Sequence, residues 1–168
     1  MTETRFNLWR RWGPGIFRLA SRIFVATYGR FPVLGELRSA AGIVRSGEDF
    51  IMVERSDGRG ICFPGGIAFW REDEAASLRR EIREETGLEV TGCRFLWRYH
   101  NRHYLPSSVA VYEAETAGTP RGSWEGRVVR VPMARLRQGL FPIHLPIVEY
   151  LEKNSGTAKP CGSGQAIR

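Results

Sequence analysis

Cysteine, lysine, histidine and long apolar runs are all scarce in this chain of 168 residues. The three cysteines, Cys62, Cys93 and Cys161, form no CxxC pair and no Cys/His cluster at metal-ligand spacing. That excludes a disulfide framework and a structural zinc site, and the expected setting is a reduced, cytoplasmic one. The longest uncharged stretch of the N-terminal segment, Ile23 to Gly29, is far short of the roughly 20 residues a spanning helix needs. The same segment lacks an apolar core followed by a small-residue cleavage site, so no signal peptide is expected. Lysine occurs only at Lys153 and Lys159, so 23 of the 25 basic residues are arginines. His100 and His103 read as surface loop residues.

What is present fits one soluble domain. A content of 42% hydrophobic, 11% aromatic and 26% charged residues excludes collagen-like, disordered and membrane-spanning classes. The net charge of +7 favours an anionic partner: nucleic acid, an anionic membrane face or a phosphorylated small molecule. More than half of that surplus is local, because residues 1–36 carry six arginines against Glu3 and Glu36. Within them, Ile16 to Tyr28 shows helical spacing of apolar and basic residues after the Gly13-Pro14-Gly15 break. The expectation is a basic amphipathic helical extension, packing on the domain or on a second copy in a homodimer, ahead of a weak membrane-surface contact.

Residues 37–153 alternate short apolar runs with turn signals. Strands are expected at Ala40 to Val44, Phe50 to Val53, Ile61 to Phe63, Glu89 to Trp97, Val109 to Glu115 and Arg127 to Val131. Pro64-Gly65-Gly66 reads as irregular loop. A charged helix is expected from about Asp73 to Thr86, with Asp73 as N-cap and Gly87 as left-handed C-cap, and a closing helix at about Leu145 to Lys153. Residues 154–168, rich in Gly, Ser, Pro and Ala, read as a flexible tail.

The chemistry concentrates on the charged helix. At about 100° per residue, Glu81, Glu84 and Glu85 fall on one narrow face, beside an apolar stripe of Ala75, Leu78 and Ile82. Like charges at this spacing cost roughly 0.2–0.5 kcal/mol per pair, so a compensating cation is called for. Three oxygen donors suit a hard divalent ion, Mg²⁺ or Mn²⁺. On the helix alone, a solvated charged face with Arg79, Arg80 and Arg83 as ion-pair partners explains the pattern too.

The surroundings shift the balance. Gly66, then Glu72, then Arg80-Glu81-Ile82-Arg83-Glu84-Glu85-Thr86-Gly87-Leu88 match G-x5-E-x7-R-E-U-x-E-E-x-G-U, where U is aliphatic. This resembles the Nudix box, entered through Phe63-Pro64-Gly65-Gly66, with every fixed position present. The resemblance implies an α/β fold, a Nudix-type α/β/α sandwich with a mixed sheet, over residues 37–153. It implies hydrolysis of a pyrophosphate bond in a nucleoside diphosphate linked to another group, with Mg²⁺ or Mn²⁺. The rival reading is a catalytically silent member serving as a nucleotide-sensing or partner-binding module, which missing box glutamates would favour.

By position, the resemblance assigns Gly66, Glu81, Glu84 and Glu85 to the metal, with Glu84 a third ligand or the general base. Arg80 becomes an orienter paired with Glu84. Glu125, on a loop after the box, is either a further catalytic carboxylate or a polar turn residue. Arg55, Phe69, Trp70, Arg102 and His103 are the substrate-contact candidates. The expected partner is a phosphorylated small molecule, with no stable nucleic-acid partner. Markers for particular substrates, such as Arg55-Ser56 with Arg59, or Pro106 beyond the box, do not select among nucleoside triphosphate, ADP-ribose and coenzyme A types.

Overall fold

The structure is a computed structural model that describes residues 35–69, 71–102 and 105–155. The amphipathic N-terminal segment, Trp70, His103 and the tail beyond Ser155 lie outside the described residues. In chain order the elements are β1 (Leu37–Ser46), β2 (Asp49–Arg55), β3 (Ile61–Cys62), β4 (Gly65–Ile67), α1 (Glu74–Thr86), β5 (Glu89–Asn101), β6 (Ser107–Ala117), β7 (Gly126–Pro132) and α2 (Leu145–Ser155). Short 3-10 turns occupy Met133–Arg135 and Pro142–His144. Among the described residues, no helix is long and apolar enough to cross a membrane.

The strands form one mixed sheet organised around β1. One edge of β1 pairs in parallel with β6, from Leu37 opposite Ser107 to Val44 opposite Ala114. The other edge is shared. Ser39 to Ala41 pair antiparallel with β4, whereas Val44 to Ser46 pair antiparallel with β2. Between the two sets, the Gly42 N–H donates to the Pro64 carbonyl at 2.8 Å. From there β2 continues the sheet through β3 and β7, and β5 closes the opposite edge on β6. The branches formed by β4 and β2 diverge, leaving a cleft at the point of divergence.

Helices cover both faces, which explains why Ala40 to Val44 and most of β6 are continuously buried. Alternate residues go to opposite layers. Ala41, Ile43, Val109 and Val111 join Ile147, Val148 and Leu151 of α2 in one core. Ala40, Val44, Ala110 and Tyr112 join Leu78 and Ile82 of α1 in the other. A Cβ on Gly42 would stand 3.0 Å from Ile82 Cδ1 and 3.1 Å from Leu78 Cδ1, so the absence of a side chain there lets the helix seat closely.

The ends of α1 are defined locally. The Asp73 carboxylate accepts the Ala75 and Ala76 N–H groups at 3.1 and 3.2 Å. At the other end Gly87, at φ 70°, returns its N–H to the Arg83 carbonyl. Leu88 then turns back into the same core as Ile82. The buried Glu74 anchors the first turn, accepting from both terminal nitrogens of Arg98 on β5, at 2.7 and 2.5 Å, and from Arg38 Nε at 3.3 Å. These contacts hold its carboxyl below the usual range.

Three expectations need correction. Of Pro64-Gly65-Gly66, read as irregular loop, Gly65 and Gly66 instead belong to the paired strand β4 (Gly65–Ile67), missed because two glycines carry no hydrophobic pattern and the pairing depends on β1. Most strands also run longer than their apolar runs, since backbone pairing continues through polar residues, as in β1 from Leu37 to Ser46 and in β5 to Asn101 opposite Ser107, whereas β3 stops one residue short at Cys62. Likewise α2 extends through Asn154 and Ser155, into the segment read as tail. If Gly42 sets the seating of α1, Gly42→Val should lower unfolding stability by about 1–3 kcal/mol through overpacking. A urea midpoint unchanged from wild type would refute that close approach.

Candidate active site

A cleft of about 590 Å³ opens where β4 and β2 part. Ser39, Ala40 and Ala41 of β1 and all of β4 form one wall, and Arg80, Glu81, Glu84 and Glu85 of α1 form another. Arg55, Arg59 and Cys62 enter from the β2–β3 region, Glu125 from the turn before β7, and Phe141 and His144 from the segment leading into α2. Packing of Leu78 and Ile82 on β1 turns the acidic face of α1 toward this space.

The three helix carboxylates differ in environment. Glu85 is only 4% exposed and accepts the Gly65 N–H at 3.0 Å. Burial, with Glu81 and Glu125 nearby, pushes its carboxyl up to about 8. Glu81 packs against the bare Cα of Gly66, where an added Cβ would stand 2.5 Å from Glu81 Oε1. Burial raises its carboxyl too, although Arg80 Nη1 donates to it at 2.8 Å. The Glu84 side chain stands largely in solvent, 3.4 Å from Arg80 Nη1. Glu125 shares the cleft, and burial raises its carboxyl despite the opposing influence of Arg55.

Arg80 organises this cluster, but its chief partner is Glu72 rather than Glu84. Its Nε and Nη2 donate to the two Glu72 oxygens, each at 3.1 Å, a bidentate arrangement, whereas Glu84 receives a single bond at 3.4 Å. Glu72 Oε2 also accepts the Phe69 N–H at 2.9 Å, and the Arg80 guanidinium lies 4.2 Å from the centroid of the Phe69 ring. Arg80 thereby ties the box loop to the helix and offsets the charge of Glu81.

At the opposite rim, the Arg55 guanidinium binds Asp57 through Nη2 at 2.6 Å and lies 5.8 Å from the Phe141 ring centroid. Asp57 also accepts the Arg59 N–H at 3.2 Å, so one buried carboxylate orders two arginines at the mouth.

Of the sequence candidates, Gly66, Phe69, Arg55, Arg80, Glu81, Glu84, Glu85 and Glu125 meet in the cleft. Arg102 does not line it; β5 is the edge strand beyond β6, and Arg102 sits exposed just past its end. Trp70 and His103 fall outside the described residues. Asp57, Phe141 and His144 carried no motif, and only the fold brings them to the site.

Among the described residues, no three carboxylate, imidazole or thiol groups converge closely enough to bind a metal ion as they stand. Glu81 is drawn to Arg80, and Glu85 to the Gly65 N–H. The donor chemistry nevertheless fits a hard divalent cation, since Glu81, Glu84, Glu85 and Glu125 all bring oxygen donors to the cleft, and burial, with neighbouring carboxylates, disfavours the anionic forms of Glu81, Glu85 and Glu125.

The fold and cleft define a mixed α/β/α sandwich with a carboxylate-lined site at the sheet's branch point. The model of the NUDIX domain family matches residues 36–151, and the chain belongs to that family. Its fold is shared with a Nudix hydrolase family member of Chromobacterium violaceum, with TM-score 0.62, 23% identity, and coverage of 74% of this chain and 82% of the other. The E. coli ORF135 protein gives TM-score 0.64 at 21% identity, covering 76% and 96%. The MutT protein of Methanosarcina mazei Go1 gives 0.64 at 16%, covering 72% and 96%. No curated protein matches the chain.

The raised Glu85 carboxyl carries a stability consequence. Between its ordinary value of 4.5 and about 8, the folded protein holds a proton that the unfolded chain has lost. The stabilisation is therefore complete below that window and disappears as pH rises through it. Metal-free wild type should lose thermal stability between pH 4.5 and 8 more steeply than Glu85→Gln, and the variant should be the more stable at pH 8. Parallel melting profiles would contradict the assigned burial.

Proposed function

We propose that the chain is a divalent-metal-dependent pyrophosphohydrolase, cleaving a pyrophosphate bond in a nucleoside diphosphate linked to another group, such as a nucleoside triphosphate or ADP-ribose. The observation that carries this reading is the confinement of Glu81, Glu85 and Glu125 in a cleft whose rim presents Arg55 and Arg59. Carboxylates forced together at a cost to their own ionisation fit a cation, and arginines at the mouth fit the phosphates that accompany it. Membership in the Nudix family and the hydrolase description of a fold relative support the same reaction class.

In this proposal Glu81, Glu85 and Glu84, with the Gly66 carbonyl, hold Mg²⁺ or Mn²⁺. The cation supplies neutralisation of phosphate oxygens and a bound water of lowered pKa. Arg80 keeps Glu81 and the box loop in position through Glu72. Glu125 reaches the cleft from a different element from the helix carboxylates, leaving it able to accept the proton of the attacking water; Glu84 is the other carboxylate suited to that role. Arg55, held by Asp57, binds phosphate oxygens, and Phe69, ordered by Arg80, walls the entrance.

Glu84→Gln and Glu85→Gln should each reduce Mg²⁺-dependent release of phosphate products by at least about tenfold to a hundredfold, with the fold intact by circular dichroism. The assay covers nucleoside triphosphates, ADP-ribose, dinucleotides, coenzyme A and nucleotide sugars. Unchanged turnover in both variants would overturn the assignment. Mg²⁺ should also raise the melting temperature of wild type, with a smaller increase in Glu85→Gln, because binding only to the folded state stabilises it.

A further inference from the structure

The charge of the chain is distributed unevenly about the fold. Residues 35–155 hold 17 basic and 17 acidic side chains, so the net charge of +7 lies entirely in the flanking segments, five units of it in residues 1–34. Those residues carry Arg5, Arg10, Arg11, Arg18, Arg22 and Arg30 against Glu3 alone. The proposed reaction uses none of these arginines.

The same stretch of sequence is rich in apolar side chains. Trp9 and Trp12 flank Arg10 and Arg11, and from Ile16 onward Leu19, Ile23 and Phe24 recur at helical spacing with Arg18 and Arg22 between them. An apolar stripe of this kind needs a cover. The folded part supplies none of that extent, because helices already close both faces of the central strands. Among the described residues, six large apolar side chains are more than a third exposed, and they fall in three separate places: Phe95 on β5, Leu145 and Tyr150 on α2, and Ile67, Phe69 and Trp124 about the mouth of the cleft.

The third place adjoins the root of the segment. The chain enters β1 at Leu37, where Ser39 pairs with Ile67 and the Ala68 N–H donates to the Arg38 carbonyl at 2.9 Å. Ile67, 38% exposed, and Phe69, 63% exposed, therefore stand beside the point at which residues 1–34 join the fold. There the fold itself presents apolar side chains to solvent.

We infer that residues 1–34 and the Ile67–Phe69 rim form a contact surface for an anionic lipid bilayer. Interleaved arginine and aromatic residues suit the headgroup region, where the charges meet anionic lipids and the apolar stripe enters the acyl boundary. A nucleic acid would satisfy the arginines and leave the stripe in water. Because the domain is neutral overall, the attraction comes from the segment, and Ile67 and Phe69 add apolar area beside it. The contact places the mouth of the cleft at the membrane surface. It does not depend on the proposed reaction, which can fail while the contact stands.

Co-sedimentation of the full-length chain with lipid vesicles tests this. Phosphatidylcholine vesicles containing about 30% phosphatidylserine should bind the protein at least about tenfold more tightly than phosphatidylcholine alone, since each arginine near an anionic surface adds to the attraction. Raising the salt from about 0.1 M to about 1 M should release it, because the screening length falls. Arg10→Gln, Arg11→Gln, Arg18→Gln and Arg22→Gln combined should abolish the preference for anionic vesicles. Ile67→Asp should weaken binding by about threefold or more through loss of buried apolar area. Equal binding to neutral and anionic vesicles, tighter binding to a single-stranded oligonucleotide than to anionic vesicles, or undiminished binding by either variant would each overturn the surface. A dimer by sedimentation velocity that ignores both kinds of vesicle would assign the segment to a second copy and overturn it as well. The wild-type arms decide the matter whatever the stability of the variants.

Discussion

The seating of α1 on β1 is the contact on which the site depends. Gly42 gives Leu78 and Ile82 room to lie against the strand, and Glu74 pins the first turn to Arg38 and Arg98. With its apolar stripe fixed inward, the acidic face of the helix has one direction left, toward the wedge between β4 and β2. The same strand supplies both sides of the constraint. β1 exchanges one partner for another at Gly42, and the divergence that results is the cleft.

Placing three carboxylates on that wedge is electrostatically costly, and the surrounding residues show how the cost is contained. Arg80 divides its donors among Glu72, Glu81 and Glu84, the Gly65 N–H stabilises Glu85, and Asp57 keeps Arg55 and Arg59 at the rim. None of these contacts relieves Glu85 fully, which keeps an affinity for protons well above that of an exposed glutamate. Such residual strain is typical of sites where charge is held in readiness for a ligand. Part of the chain's positive charge therefore acts locally, as Arg55, Arg59 and Arg80 positioned around a negative centre.

Much of this was legible in one dimension. The caps of α1, its apolar stripe and the clustering of Glu81 and Glu85 follow from a 3.6-residue period and from the local chemistry of Asp73 and Gly87. The six strands seen as apolar runs were recognisable because burial on alternate or both faces leaves a hydrophobic trace. Gly65 to Ile67 left none, since a strand of two glycines is defined by the backbone it meets and not by its own side chains. The helical pair of Arg80 with Glu84 is present at 3.4 Å, but the bidentate partner is Glu72, which the loop folds back onto Arg80 and which no helical period indicates.

What the sequence by itself determined is the family and the helix that carries the acids, because these rest on residue identity at fixed short spacings. Only the tertiary structure decided that Glu125, Arg55, Phe141 and His144 share a cleft with them, and that Arg102 does not. Apart from Phe141 and His144, those residues lie far apart in the chain and bear no common period. Their meeting is a property of strand order, of the branch at Gly42 and of the bonds from β3 and Tyr99 that draw the segment before α2 against the site.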